Sequence, residues 1–324
     1  MSLFGDLGDP WDIDATVRLR LNTSLAHIFQ RAKGRLDIDK TRFEAALEHI
    51  RARKQDPGVF ARYYDLIFAL TSNQIAEANI LLGEIIERAV GPAYFGIVPY
   101  ARQHLGPDYE RFPRLLFAEY SQTNPMASPS DSQSLASTQM LKEAIEIVSQ
   151  VEAGIHKEIE ALLVRIFLAT ASKDRSAKRF GGVTSFLVWG ASFINIESYK
   201  TRWDAVQFLV HEITHSVLFG LSLDEPLVQN TPNENYKSPL RSDRRPMDGI
   251  FHATLVCGRL ADFNRAWLES GLAKKTDRES SRKAVADNLR FFRDGVRVIN
   301  KHGKLSEQAR QLVERSCNGL SVCA

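Results

Sequence analysis

From Ala205 to Leu221 the chain reads AVQFLVHEITHSVLFGL, and no other segment limits its fold as much. At helical spacing Val206, Val210, Ile213 and Val217 make one apolar stripe, while Phe208, His211, His215 and Leu218 make a second. A helix that is apolar nearly all round belongs in an interior. Thr201-Arg-Trp-Asp204 has the [ST]-x-x-[DE] spacing of a capping box and predicts that the helix starts there. Other elements must therefore enclose this helix. They must also provide partners for two histidines, because an unpaired buried polar group is costly.

The histidines belong to His211-Glu-Ile-Thr-His215, an H-E-x-x-H motif. Residues four apart on a helix share a face, so both imidazoles can bind one metal ion with Glu212 beside it. The competing reading is a pair of core histidines hydrogen-bonded to carbonyls. If the metal is zinc, the expected chemistry is peptide hydrolysis, with Glu212 as general base for a metal-bound water. The longer metzincin pattern is absent, because Leu218 stands where its glycine belongs and Leu221 where its third histidine belongs. Glu225 and Glu234 lie downstream in a Pro- and Asn-rich stretch, and nothing marks either as a ligand.

A second constellation follows in Tyr236-Lys-Ser-Pro-Leu-Arg241-Ser-Asp-Arg-Arg245-Pro-Met-Asp-Gly-Ile-Phe-His252-Ala. Pro246 suits the first turn of a helix, which the pattern carries from about Met247 to Trp267 with His252 in its second turn. His252 is thus a candidate third ligand. Arg241 and Arg245 precede it, and a guanidinium fork matches a carboxylate in bidentate fashion. Two arginines beside a metal suit a small dicarboxylic cosubstrate better than they suit a protease.

These residues, His211–His215 with Ser238 to Ala253, resemble the HExxH-motif proteins of peptide natural-product gene clusters. Members of that family are iron(II)- and 2-oxoglutarate-dependent peptide β-hydroxylases. The resemblance is strongest over about residues 180–260 and faint or absent in the first 120. It implies hydroxylation of the β-carbon of a residue in a ribosomally made precursor peptide. It implies that His211, His215 and His252 hold Fe(II), that Arg241 or Arg245 grips 2-oxoglutarate, and that Arg244 is solvated. The usual oxygenase triad is two histidines and a carboxylate, so Glu212 and Asp248 stay open as alternatives to His252. Glu212 is open as ligand, orienter or proton shuttle. Zinc remains the alternative metal.

The rest of the 324 residues sets the frame. Apolar periodicity predicts helices over Val17–Ala32, Phe43–Ile50, Val59–Leu70, Asn73–Val90 and a long one from Gln139 to about Ala171, with three more after residue 246. Short strands are expected only in Phe180–Gly190 and Ala191–Asn195, which makes the class mainly α with a small β element, a short hairpin. Ser121–Thr138, rich in Ser and Pro, reads either as a linker between an N-terminal helical region (1–120) and a catalytic region (139–324) or as a long loop within one domain. The N-terminal region is expected to support the catalytic part and to grip the leader of the peptide. With 42 basic and 39 acidic residues the net charge of +3 is too small for nucleic-acid binding over the whole surface. Residues 259–315 nevertheless carry 14 Lys/Arg against 8 Asp/Glu, either a solvated face or a surface for an acidic peptide. No apolar run reaches the length of a membrane span and the first residues lack a secretory h-region. Three cysteines are too few for a disulfide framework, so a cytoplasmic location is expected. The tail carrying Cys317 and Cys323 is expected to be disordered, and the oligomeric state is open.

Overall fold

The computed structural model describes residues 8–32, 34–117, 124–174 and 180–322. It is mainly helical, with 65% helix and 10% strand, as the periodicity predicts. Internal packing divides the chain into two compact units, one of Pro10–Thr138 and Glu160–Lys200, the other of Met1–Asp9, Gln139–Ile159 and Thr201–Ala324.

The first of these units opens with α1 (Pro10–Arg31), α2 (Lys40–Ala52), α3 (Pro57–Thr71) and α4 (Ile75–Ala89). Asp39 and Asp56 cap α2 and α3 by accepting the N–H groups of Arg42 and Gly58, and Pro57 takes the first turn of α3. Then come β1 (Gly96–Pro99), α5 (Arg102–Leu105), α6 (Asp108–Phe117) and β2 (Met126–Ala127). Pro113 lies inside α6 and has no N–H for the carbonyl of Tyr109. The buried Tyr100 hydroxyl donates to that carbonyl instead.

The sheet is larger than the expected hairpin. Beyond α7 (Asp131–Val151) and α8 (Ala153–Leu162) run β3 (Arg165–Ala171), β4 (Gly182–Thr184) and β5 (Ala191–Asn195). The sheet order is β1-β3-β5-β4, with β2 also on β3; β1, β3 and β5 are parallel, and β4 pairs with β5 antiparallel. The helix expected to reach Ala171 therefore ends at Leu162, and the chain from Arg165 is the central strand. Its residues Ile166 to Thr170 are buried on both faces, so it shows an unbroken apolar run without the alternation that marks a half-buried strand. Gly190, at φ +86, precedes β5, and a Cβ there would come within 3.2 Å of Val164. Phe167 and Phe193 stack at 4.8 Å over Phe112 in the core of this unit.

In the stretch expected as a linker, residues 121–123 lie outside the described residues, Met126–Ala127 form a strand, and α7 begins at Asp131. The second unit contains α9 (Arg202–Leu221), a two-stranded sheet of β6 (Asn235–Lys237) and β7 (Arg244–Pro246), and the three expected helices α10 (Met247–Glu269), α11 (Lys275–His302) and α12 (Glu307–Leu320). The segment expected as a disordered tail is instead α12 as far as Leu320. Ser306 caps it, and Leu312, Val313 and Leu320 turn inward. Cys317 is buried there and disulfide-bonded, whereas Cys323 lies outside the described residues. Among the described residues no helix is long and apolar enough to cross a membrane.

Three devices hold the helices of this unit in place. Gly295 of α11 lies so close to Thr254 of α10 that a Cβ would overlap the threonine hydroxyl. Arg259 of α10 donates to Glu158 of α8 at 2.6 Å in the interior. Trp203 and Gln207 of α9 bond to Asn264 of α10, and Trp203 also reaches Ser281 of α11. The α9–α10 spacing is thereby fixed on the helices that carry all three candidate histidines.

Candidate metal centre

The capping box predicted from sequence forms. Thr201 Oγ1 accepts the Asp204 N–H, and the Asp204 carboxylate accepts the Thr201 N–H at 2.8 Å. With the start of α9 fixed, Val206, Val210, Ile213 and Val217 face the interior, and His211 and His215 stand one turn apart. Their Nε2 atoms are 3.2 Å apart. Two nitrogens on one ion with bonds of about 2.1 Å are separated by ~3.0–3.4 Å, so the pair has the spacing of two adjacent ligands.

His252, in the second turn of α10, is buried against this pair. Its Nδ1 is 3.2 Å from Nδ1 of His215, and the two rings are nearly parallel with centroids 5.5 Å apart. Its Nε2 faces the exposed Asp248 carboxylate at 3.8 Å. The structure thus brings His211, His215 and His252 together. It does not aim all three at one point, because His215 turns Nε2 to His211 and Nδ1 to His252. Among the described residues no group of three or more His, Cys, Asp or Glu is arranged to hold a metal ion.

The proton arrangement bears on what the cluster can do. A carboxylate beside His252 Nε2 favours a proton on that nitrogen, leaving its Nδ1 as an acceptor. His215 Nδ1–H can then donate to His252, and His215 Nε2 faces His211 Nε2 as a lone pair. A hydrogen bond of this kind to the far nitrogen is how ligating histidines are oriented. Burial pushes all three imidazoles towards the neutral form. It lowers His211 to about 4 and His215 well below its ordinary value, where the neighbouring His211 and His252 add to the effect. Burial also lowers His252, against the pull of Asp248. Neutral imidazole is the ligand form, so the donor set fits a divalent transition metal at the His211–His215 pair. Phe219, one further turn along α9, covers the cluster at 6.2 Å from His215 and 5.3 Å from His252. Sequence reasoning did not single out Phe219, although its four-residue spacing from His215 places it on the same face.

Glu212 is buried, at 4% exposure, on the same helix. Glu225 and Glu234 are exposed and bond elsewhere, to Gln229 and to the Tyr236 hydroxyl, so neither joins the histidines. The arginines divide by strand alternation. Arg244 on β7 is exposed and its guanidinium donates to the Asn235 carbonyl. Arg245 points to the other face, where it is half-buried. It pairs with Asp243 at 2.9 Å, and its Nε is buried without a hydrogen-bond partner. Arg241 is exposed, with its backbone N–H donating to Ser238 Oγ. Pro246 serves as the N-cap of α10, one position ahead of the first turn expected for it, and so joins Arg245 directly to the helix of His252. Compared with protein-family models and with curated proteins, the chain matches none.

Proposed function

We propose that the protein is an iron(II)- and 2-oxoglutarate-dependent oxygenase that hydroxylates the β-carbon of a residue in a ribosomally made precursor peptide. The observation that carries this reading is the partly buried cluster of three imidazoles shifted towards the neutral form, in which His211 and His215 have other histidines as their hydrogen-bond partners. His211 and His215 would hold the iron. His252 is the third candidate ligand and, in the arrangement seen, orients His215. Bound iron with its oxo-acid cosubstrate and dioxygen would supply the oxidation of a C–H bond. The chain's own part is to bind, orient and keep water out. Arg245 suits the free carboxylate of the cosubstrate, because its buried Nε still lacks an acceptor and a buried carboxylate needs a charged partner. Arg241, exposed on the same connection, is the second candidate for that carboxylate. Phe219 shields the cluster from solvent. A cytoplasmic location, where such cosubstrates are made, goes with this reading.

The test is a turnover assay on the purified protein with Fe(II), ascorbate, 2-oxoglutarate and a candidate precursor peptide encoded beside it. Succinate formed together with a peptide heavier by one oxygen supports the proposal. Peptide cleavage with zinc and without 2-oxoglutarate would replace it with a zinc peptidase that uses Glu212 as base.

A further inference from the structure

We propose that the exposed basic face of α11 is a docking surface for an acidic peptide segment. That this segment belongs to the substrate rests on the peptide-modifying reading above. The helix has two opposed faces. Ala284, Phe292, Val296 and Ile299 are buried, whereas Arg282, Lys283, Arg290, Arg293, Arg297 and Lys301 are exposed. At 3.6 residues per turn those six cations fall within an arc of roughly 100° and along a rail of ~28 Å.

Few of these charges are neutralised. Arg290 and Arg297 reach Asp287 and Asp294 at 3.3 and 2.9 Å, in solvent-exposed pairs that contribute little. Arg282, Lys283, Arg293 and Lys301 form no ion pair among the described residues. Glu279 is the acid that shares the exposed arc, and it lies near the start of the rail. From Lys275 to His302 the sequence holds eight Lys/Arg against four Asp/Glu, so the local charge of +4 exceeds the +3 of the whole chain.

The chemistry of the rail selects its occupant. Arg290, Arg293, Arg297 and Lys301 stand three or four residues apart, about 5–6 Å from one another, and Arg282 and Lys283 lie two turns before them. An acidic helix repeats its carboxylates with the same period, and an extended chain with an acid at every second residue repeats at about 6.7 Å. Either can follow the rail for several turns. A membrane surface fits less well, because the apolar side of α11 is already used inside the protein and nothing is left to insert. Single-stranded nucleic acid fits less well too, since the row offers no exposed aromatic platform for bases. Contacts made by charge alone give fast, salt-sensitive association, which suits a substrate that must leave again.

The experiment measures fluorescence anisotropy of a labelled oligoglutamate peptide with the metal-free, full-length protein at low salt. Anionic phosphatidylserine vesicles and a single-stranded oligonucleotide serve as alternative probes. The combined variant Arg282→Glu, Arg293→Glu and Lys301→Glu should lose tenfold or more in peptide affinity, the size expected from reversing several surface charges. A control with the same charge change elsewhere, Lys40→Glu, Arg53→Glu and Lys142→Glu, should keep most of it. Both variants alter exposed side chains, and their melting temperatures check that they fold. Unchanged affinity in the α11 variant overturns the proposal, as does an equal loss in the control. Preference for vesicles or oligonucleotide over the peptide also overturns it. No metal or turnover enters this measurement, so failure of the oxygenase reading leaves its result intact, and the converse holds.

Discussion

Each of the two units buries a cluster of titratable groups, and they satisfy those groups in opposite ways. In the sheet-containing unit Arg62 is 2% exposed, and it donates to Glu84 at 2.5 Å and to Asp108 at 2.6 Å. Asp108 also takes Arg88 and Arg111, and Arg111 takes Asp65 at 2.8 Å. Opposite charges meet there and the cluster is complete in itself. In the helical unit the histidines meet one another, and burial shifts each towards the neutral form. A cluster of opposite charges holds a fold together. A cluster of neutral imidazoles keeps lone pairs, which under the proposed function a metal ion would share.

The largest expected effect separates these two roles. His211→Ala or His215→Ala should abolish metal uptake after anaerobic loading, read by elemental mass spectrometry, while the metal-free protein still unfolds in one cooperative transition. His252→Ala should weaken uptake severely; full retention would make His252 an orienting residue and open the third position to Glu212 or Asp248. In the other unit, Asp108→Ala removes the buried carboxylate that Arg62, Arg88 and Arg111 share and should cost about 3–5 kcal/mol in a denaturant titration. Its metal content per folded molecule should match the parent's.

Arg245→Lys comes next in size. It keeps the charge and loses the fork, and a charged hydrogen bond is worth about 1.5–3 kcal/mol. The 2-oxoglutarate requirement should therefore rise roughly 10–100-fold with iron content unchanged. Arg241→Lys, altering an exposed side chain, should do less. If both variants keep the parent's requirement, the cosubstrate assignment falls.

A further effect, on the stability of the metal-free fold, is expected in acid. The unfolded chain protonates His211 near its ordinary value of 6.5, whereas the fold resists until about 4. The unfolded state thus binds more protons between those values, and stability falls as pH is lowered through that window. Above 6.5 the contribution is fully present. Urea midpoints of the metal-free protein measured across this range should drop, and His211→Phe should flatten the drop.

Much of the site was legible in the sequence. The capping box, the His pair on a buried helix and the placing of His252 in the second turn of α10 all follow from spacing along single helices. The orientation of the rings was not legible, because it depends on how α9 and α10 pack, and that packing rests on contacts such as Trp203 and Gln207 against Asn264. The division between Arg244 and Arg245 needed the pairing of β6 with β7, whose three-residue strands carry almost no periodicity. The central strand β3 was hidden for another reason. Burial on both faces removes alternation, and its apolar run continues the pattern of α8 without a glycine or proline between them.

The most direct test of the metal assignment is an anaerobic titration of the metal-free protein with Fe(II) in the presence of 2-oxoglutarate, followed by visible absorption. Iron chelated by a 2-oxo acid gives a charge-transfer band that neither partner gives alone. The proposed site predicts a band saturating at one iron per chain, absent in His211→Ala and His215→Ala and requiring more 2-oxoglutarate in Arg245→Lys. A parent protein that gives no band, or a band that survives the loss of either histidine, would contradict it.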